Sequence, residues 1–328
     1  MQPLKGIHHV TAMTSNAEKI YDFFTNILSL RLVKKTINQD DPSAYHLFFA
    51  DNEGNAGTDM TFFEFKDSNK ALKGTNEIAK TGFRVPDDLA LEYWVKRFNH
   101  YKVRHEGIKT LFGRKLIYFY DFDQQEYALF SDEGVKGVKS GNPWEKGPVP
   151  NGFAITGLGP IFFRVDDIKR MDKVLTEFMQ MRFVSKDEHY SLYEMGEGGN
   201  GASVIVDYQP MMHQAFQGYG GVHHVAFRIE DKEALDLWIK HLNKLNARHS
   251  GYVDRFYFKS LYTRLYPYIL FEFATEGPGF IDDEEDLEHL GETLALPPRF
   301  RNQRTYVENQ LTLFDTVRSN KTFKKEYY

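Results

Sequence analysis

Apolar and polar residues follow a pattern that recurs four times along the chain. Each recurrence opens with a short apolar run typical of a strand, and then places apolar residues three or four positions apart. The second spacing is that of an amphipathic helix. The four predicted helices span residues 17–28, 89–101, 168–179 and 232–245.

Short apolar runs follow the predicted helices and are separated by clusters of Gly, Pro, Asn and Asp, which favour turns. The first unit carries such runs at residues 32–37, 45–50 and 60–65, and the last at 257–262 and 268–274. Each unit is therefore predicted to contain a strand, a helix and then about three strands. One unit is too small to bury a sheet face alone, so we expect units to pair.

Sequence repeats mark where the units begin and end. Gly-Ile-His-His-Val at residues 6–10 recurs as Gly-Val-His-His-Val at 221–225. Phe-Arg-Val-Pro-Asp-Asp, which starts at Phe83, recurs in altered form at Phe163 and Phe227. Thr-Phe-Phe-Glu-Phe at 61–65 resembles Ile-Leu-Phe-Glu-Phe at 269–273, which predicts that Glu64 and Glu272 hold equivalent positions.

The length of 328 residues exceeds what one hydrophobic core usually organises. A Gly- and Pro-rich stretch at 141–159 has the composition of a linker. We therefore predict an α+β protein with an N-terminal domain of two βαβββ modules at 1–145 and a C-terminal domain of two more at 146–280. Residues 281–328 are predicted to form a tail packed on the outside.

Two segments of the tail have a recognisable sequence pattern. The acidic run at 282–286 is expected on a solvated face, and residues 307–317 have a helix-like pattern.

Composition narrows the chemistry. The chain has no cysteine, which excludes disulfides, thiolate nucleophiles and iron–sulfur clusters and leaves histidine and carboxylates as metal ligands. A formal charge of −5 argues against nucleic-acid binding, and no apolar run is long enough for a membrane span. Without an apolar leader segment at the N-terminus, the expected location is the cytoplasm. Small molecules are the expected partners.

The two histidine pairs are the strongest chemical signal. Adjacent residues of a strand point to opposite faces, so one histidine from His8-His9 and one from His223-His224 is expected to face a shared cavity. A carboxylate on a neighbouring strand, such as Glu272, would complete a set of two histidines and one carboxylate. This set leaves open positions on the metal and is typical of non-haem Fe(II) oxygenases, although Zn, Mn and Ni bind similar sets.

The other two units lack this signal. Their positions aligned with His224 are Lys80 and Pro160, so the metal is expected to join units one and four.

These residues resemble the vicinal-oxygen-chelate superfamily, and within it the hydroquinone ring-cleaving dioxygenases related to dichlorohydroquinone dioxygenase. The resemblance covers nearly the whole chain. Beside the histidine pairs it rests on three segments, which are specific only in combination: residues 45–51, 57–61 and 271–280.

The resemblance implies which residues do the chemistry. It assigns Fe(II), with Mn(II) as an alternative, to His9, His224 and Glu272. Five further residues would line the pocket: His8, Thr11, His223, Arg255 and Tyr262. The implied reaction is O2-dependent cleavage of a hydroquinone- or catechol-type ring, with an aromatic diol and O2 as partners. Imidazole and phenol groups would move protons, and Arg255 would stabilise an anionic oxygen.

Two other functions stay open. A glyoxalase-type isomerase or lyase would use a second metal-binding carboxylate, for which Glu64 is the candidate, and a metal-free protein would only bind an aromatic compound. A homo-oligomer is also open. The remaining histidines have no paired counterpart and are predicted to be structural or exposed: His46, His100, His105, His189, His213, His241, His249 and His289.

Overall fold

The structure is a computed structural model that describes residues 2–281 and 284–328. Its strands are β1 Gly6–Met13, β2 Arg31–Ile37, β3 Tyr45–Ala50, β4 Asp59–Glu64, β5 Glu77–Val85, β6 His105–Leu111, β7 Arg114–Tyr120, β8 Glu126–Ser131, β9 Gly157–Val165, β10 Arg182–Asp187, β11 Tyr190–Glu194, β12 Ser203–Tyr208, β13 Gly221–Ile229, β14 Val253–Asp254, β15 Phe258–Tyr266 and β16 Ile269–Pro278. Its α-helices are α1 Ala17–Asp22, α2 Asp88–His100, α3 Ile168–Lys173, α4 Lys232–Lys244 and α5 Arg304–Glu308.

All four helices predicted from apolar spacing are present. Helices α1 and α3 each continue as one π-helical turn, at Phe23–Ile27 and Val174–Phe178. The repeated acidic residues explain three helix starts, because the side chains of Asp87, Asp167 and Asp231 each accept a hydrogen bond from a backbone N–H in the first turn.

The strands form two curled sheets of eight. The first has the order β14-β15-β16-β13-β1-β4-β3-β2, and the second has the order β10-β11-β12-β9-β5-β8-β7-β6. Antiparallel pairing of β1 with β13 joins units one and four, and pairing of β5 with β9 joins units two and three. The α+β fold of four paired modules is thereby confirmed. The domain boundaries after residues 145 and 280 stay a prediction, since sheet pairing follows a different grouping of the units.

One large core lies between the sheets and helices. Phe163 of the second sheet meets Phe271 of the first with 5.4 Å between ring centroids, and Phe24 from the π-helical turn after α1 lies 6.1 Å from Phe83. A smaller apolar cluster on the first sheet is separate from this core and includes Phe258, which packs against His9.

The tail differs from its predictions in two places. Helix α5 ends at Glu308, so the predicted helix at 307–317 is wrong beyond that residue. In the acidic run, Asp282 and Asp283 lie outside the described residues. Glu285 is only 4% exposed, because its carboxylate lies 2.7 Å from Lys34 Nζ, which is itself buried on β2. The expectation of a solvated face is therefore wrong for Glu285.

Among the described residues, no helix is both long and apolar enough to cross a membrane. The predicted cytoplasmic location and the oligomeric state stay predictions.

Candidate metal centre

Two β-bulges shape the pair of strands that carries the histidines. In the β1–β13 ladder Ile7 pairs with Phe227 and His9 with Ala226, so His8 is an extra residue on β1. The register shifts again further along, where His223 is the extra residue on β13. A bulge suspends the strict alternation of faces and re-aims side chains. The two rings of each pair contact each other, so the expected alternation of faces does not hold. At the first pair only His9 lines the cavity, as predicted, whereas at the second pair both His223 and His224 line it.

The strands bring three potential ligands together. Glu272 Oε2 lies 3.2 Å from His9 Nε2 and 3.0 Å from His224 Nε2, and all three side chains are buried. The three ligand atoms lie within 4.8 Å of one another, and no other group of this kind occurs in residues 2–281 and 284–328. Parallel pairing of β13 with β16 places Glu272 opposite Ala226, two residues after His224.

The two oxygens of Glu272 have different surroundings. Ser260 Oγ donates a 2.5 Å hydrogen bond to Oε1, whereas Oε2 is fully buried and forms no well-aligned hydrogen bond to either nearby ring. A buried carboxylate oxygen in this state is costly unless a cation compensates it. Two imidazoles and one carboxylate are a donor set that suits Fe(II) and related divalent metals. The residues present therefore fit a metal ion.

Hydrogen bonds of His8 fix the tautomer of His9. His8 Nε2 lies 2.9 Å from the carbonyl oxygen of Thr275, which can only accept, so this nitrogen carries a proton. Burial, together with His9, lowers the pKa of His8 to about 3, and its ring is neutral at pH 7. His8 Nδ1 is then an acceptor for the Nδ1–H of His9, 3.0 Å away. This leaves the lone pair of His9 on Nε2, toward Glu272.

The second pair repeats the contact between Nδ1 atoms. His223 Nδ1 lies 2.8 Å from His224 Nδ1, and burial lowers the pKa of His223 to about 3. Thr61 Oγ1 donates to Thr11 Oγ1 at 2.8 Å, and Thr11 Oγ1 lies 3.0 Å from His224 Nε2. The Thr11 hydroxyl proton can then be donated to His224 Nε2, in the tautomer of His224 whose own proton is on Nδ1. In these tautomers His9 and His224 each have an unprotonated Nε2 beside Glu272 Oε2.

The charge of the group favours a cation. Burial on its own would raise the pKa of Glu272, but the imidazoles of His9 and His224 lower it well below its usual range. Burial also lowers the pKa of His224. An ionised carboxylate is the form of Glu272 that a metal requires of its ligand.

A cavity of about 270 Å³ opens onto His9 and His224. Of the five residues predicted to line it, His223, Arg255 and Tyr262 do so, together with the aromatic rings of Phe48 and Phe63. His8 and Thr11 do not line it; they lie behind the ligands and contact His9 and His224. Most of the predicted site is therefore brought together, but in two layers.

Arg255 and Tyr262 form a hydrogen-bonded pair at the cavity wall. Arg255 Nε donates to Tyr262 Oη at 3.0 Å, and the guanidinium makes a two-point contact with Asp40 at 2.9 and 3.2 Å. Burial raises the pKa of Tyr262, so its phenol stays protonated. Burial would lower the pKa of Arg255, but Tyr262 and Asp40 raise it, which keeps a fixed positive charge at the wall.

Comparison with known proteins places this site in a family. A family model described as the Glyoxalase/Bleomycin resistance protein/Dioxygenase superfamily matches residues 6–132. The chain is 40% identical to the Bacillus subtilis protein named "Putative ring-cleaving dioxygenase MhqA", over 94% of this chain and 98% of the relative. The chain belongs to this superfamily.

Three further proteins extend the comparison. The "Chlorohydroquinone/hydroquinone 1,2-dioxygenase" of Sphingobium indicum is 28% identical over 90% of this chain and 92% of its own length. A crystal structure of a Bacillus subtilis protein described as a "putative dioxygenase" superposes with a TM-score of 0.88 at 30% identity, covering 96% of this chain and 99% of that one. Maize glyoxalase I shares the fold, with a TM-score of 0.58 at 12% identity, and covers 83% of this chain and 92% of its own.

The strand register corrects the position predicted for Glu64. Parallel pairing places Thr61 opposite Thr11 on β1, just as Glu272 lies opposite Ala226 on β13. Thr11 follows His9 by two residues and Ala226 follows His224 by two. Thr61 therefore holds the position equivalent to Glu272, and the prediction that Glu64 does so is wrong.

Glu64 has a different task, because its Oε1 accepts a 2.8 Å hydrogen bond from the backbone N–H of Ala17 at the start of α1. The matching letters around Glu64 and Glu272 are out of register by three residues. In the first unit a hydroxyl, and not a carboxylate, holds the register position of Glu272, and this hydroxyl contacts Thr11 and His46.

Sequence reasoning missed three residues of the site. His46 was expected to be structural or exposed, but it lines the cavity, and its Nε2 lies 2.9 Å from Thr61 Oγ1. Burial lowers the pKa of His46 well below its usual range. Ser260 holds Glu272, and Asp40 holds Arg255. For His46 one sequence signal was available: alternation along β3 places it on the same face as Phe48, which also lines the cavity.

Proposed function

We propose that this chain is an Fe(II)-dependent ring-cleaving dioxygenase that opens hydroquinone- or catechol-type rings with O2. The observation that carries the proposal is a group of three potential metal ligands that, within the described part of the chain, contains a single carboxylate. The ligand atoms of His9, His224 and Glu272 lie within 4.8 Å of one another and are buried. The position in the first unit that is equivalent to Glu272, where a second carboxylate would be needed, is occupied by Thr61. The names of the relatives point the same way.

The three ligands would hold the metal through two neutral imidazoles and one carboxylate. When bound, Fe(II) would supply a Lewis-acidic centre that lowers the pKa of a phenol and has open positions for the phenolate and O2. Ser260 holds Glu272 through a hydrogen bond to Oε1, and His8 holds His9 through a hydrogen bond at Nδ1. These are not the atoms proposed to bind the metal, so each contact keeps a ligand in the orientation that binding requires.

The cavity walls suit an aromatic diol. Phe48 and Phe63 offer apolar surface for a ring. The fixed charge of Arg255, shared with Tyr262 through a 3.0 Å hydrogen bond, stabilises a negatively charged oxygen on the substrate.

His223 offers a hydrogen-bond donor at the cavity wall. In the tautomer whose Nδ1 accepts from His224 Nδ1, the N–H of His223 is on Nε2, so this neutral ring can donate a hydrogen bond to an oxygen of the substrate. His8 does not reach the cavity, and its role is to hold His9.

The alternative functions have less support. An isomerase or lyase with carboxylates from both halves would need an acidic residue at Thr61. A metal-free binding protein would leave Glu272 Oε2 buried without compensation.

The proposal is tested by O2 uptake of anaerobically Fe(II)-loaded protein with hydroquinone, methylhydroquinone and catechol. We expect uptake with at least one substrate and formation of a ring-opened product. His224→Ala should abolish both, and His100→Ala, which removes an exposed histidine, should change neither. Metal-loaded protein that consumes no O2 with any of the three, or undiminished uptake by His224→Ala, would refute the proposal.

A further inference from the structure

A second and larger cavity adjoins the metal site. It has a volume of about 530 Å³, and its wall includes His223 and Leu270, which also line the smaller cavity at the metal ligands. The two cavities therefore meet at these side chains. A ring held at the ligands would lie one side chain away from the larger cavity.

The floor of the larger cavity is apolar and its rim is aromatic. Phe216 and Tyr268 are 64% and 62% exposed, so their rings present apolar surface at the rim of the cavity. The floor beneath them is built from four buried apolar residues: Ile78, Ala215, Val222 and Ile269.

Polar groups in this cavity are already engaged with the protein. Glu77 Oε1 accepts from Arg164 at 2.8 Å and from the backbone N–H of Gly74 at 3.1 Å. Asn76 Nδ2 donates to Asp166 at 2.9 Å, and Gln217 Nε2 donates to the backbone oxygen of His223 at 3.0 Å. Arg264, the cation of this wall, donates to the backbone oxygen of Tyr268 at 3.4 Å. Apart from this guanidinium and the ring of His223, the cavity offers a ligand chiefly apolar surface.

We infer that the natural substrate is an aromatic diol with an apolar substituent several carbons long, and that the larger cavity is the subsite for this substituent. The inference rests on the proposed function, because the ring must lie at His9 and His224 for the substituent to pass His223 and Leu270. A single-ring diol without a substituent would leave the larger cavity unused. An alkyl chain would bury the apolar floor and bring Phe216 and Tyr268 into contact with ligand.

The inference is tested by the affinity of anaerobic Fe(II)-loaded protein for hydroquinone and a series of n-alkylhydroquinones from methyl to hexyl. Without O2 no turnover occurs, so calorimetry reports the dissociation constant directly. Each methylene that enters an apolar site is expected to tighten binding roughly fourfold, until the cavity is filled. Ala71→Trp, which fills the wall of the larger cavity, should flatten the series. Met211→Trp, a change at a fully exposed position outside that wall, should leave the slope intact.

The outcomes separate this inference from the proposed function. Affinity that is constant or falls beyond methyl overturns the subsite, even when the enzyme cleaves hydroquinone. Affinity that rises with chain length and is flattened by Ala71→Trp supports the subsite, even when ring cleavage fails. If Ala71→Trp instead converts a dimer to a monomer in sedimentation and the series is flat, a second copy of the chain covers the cavity and the inference is wrong.

Discussion

His8 Nδ1 lies 3.0 Å from His9 Nδ1, and this contact determines which nitrogen of His9 faces Glu272. The contact exists because His8 is the extra residue of a β-bulge, which turns its ring toward that of its neighbour. The carbonyl oxygen of Thr275 then orders the protons along both rings. The same geometry recurs at His223 and His224, so two bulges prepare two ligands.

Replacement of His8 should weaken metal binding without removing a ligand. His8→Phe keeps the size of a ring but offers no acceptor to His9 Nδ1, so the tautomer with an unprotonated Nε2 is no longer favoured. We expect the affinity for Fe(II) to fall roughly 10–100-fold, as is typical for a lost hydrogen bond to a ligand. Competition with a chromophoric chelator measures this. Unchanged affinity, with His100→Phe as the control, would show that His8 does not orient His9.

Loss of His8 should also change how stability depends on pH. Burial lowers the pKa of His8 from 6.5 to about 3, so the unfolded chain binds a proton in this range that the folded chain does not. Stability from this group is present above pH 6.5 and is lost as the pH falls toward about 3, by at most about 1.4 kcal/mol per pH unit. Urea unfolding of the metal-free protein from pH 7 to 4 should show a shallower loss in His8→Phe. An identical slope would contradict a buried neutral His8.

Ser260→Ala should destabilise the protein through Glu272. The substitution removes the hydroxyl that donates to Glu272 Oε1 and takes a hydrogen bond from the second oxygen of a buried carboxylate. We expect a loss of roughly 1–3 kcal/mol in the free energy of unfolding, measured in urea without metal. Ser185→Ala on the edge strand β10 serves as the control and should change little. Equal stability of the two variants would mean that Ser260 does not support Glu272.

A carboxylate at Thr61 should switch the site toward two-carboxylate coordination. Thr61→Glu places a second acidic ligand at the position equivalent to Glu272, and it should keep metal binding but lose most O2 uptake, because fewer coordination positions stay open. Thr61→Gln has the same size without the charge and separates ligation from steric disturbance. Full O2 uptake by Thr61→Glu, with metal bound, would contradict the role assigned to this position.

The sequence predicts the parts of this fold that depend on local patterns. Helices α1 to α4 follow from apolar spacing, and capping by Asp87, Asp167 and Asp231 explains why acidic residues recur before three of them. The duplicated histidine pairs predict a shared site, because the repeat can be recognised in the sequence without knowing which strands pair.

Features that depend on pairing between distant strands were not predictable. The bulges at His8 and His223 appear only when β1 and β13 are laid side by side, and the equivalence of Thr61 with Glu272 requires the register of two separate ladders. Glu285 was expected in solvent, because the acidic composition of residues 282–286 does not reveal that the buried Lys34 lies next to its carboxylate.

The central claim is that the site inserts oxygen into an aromatic ring. The most direct measurement is mass spectrometry of the product formed from hydroquinone by Fe(II)-loaded protein under isotopically labelled O2. We predict a ring-opened product that carries the label, formed with one O2 consumed for each ring lost and absent in Glu272→Ala. Conversion of hydroquinone to an unlabelled quinone, or no consumption of O2 by protein that holds its metal, would contradict the account.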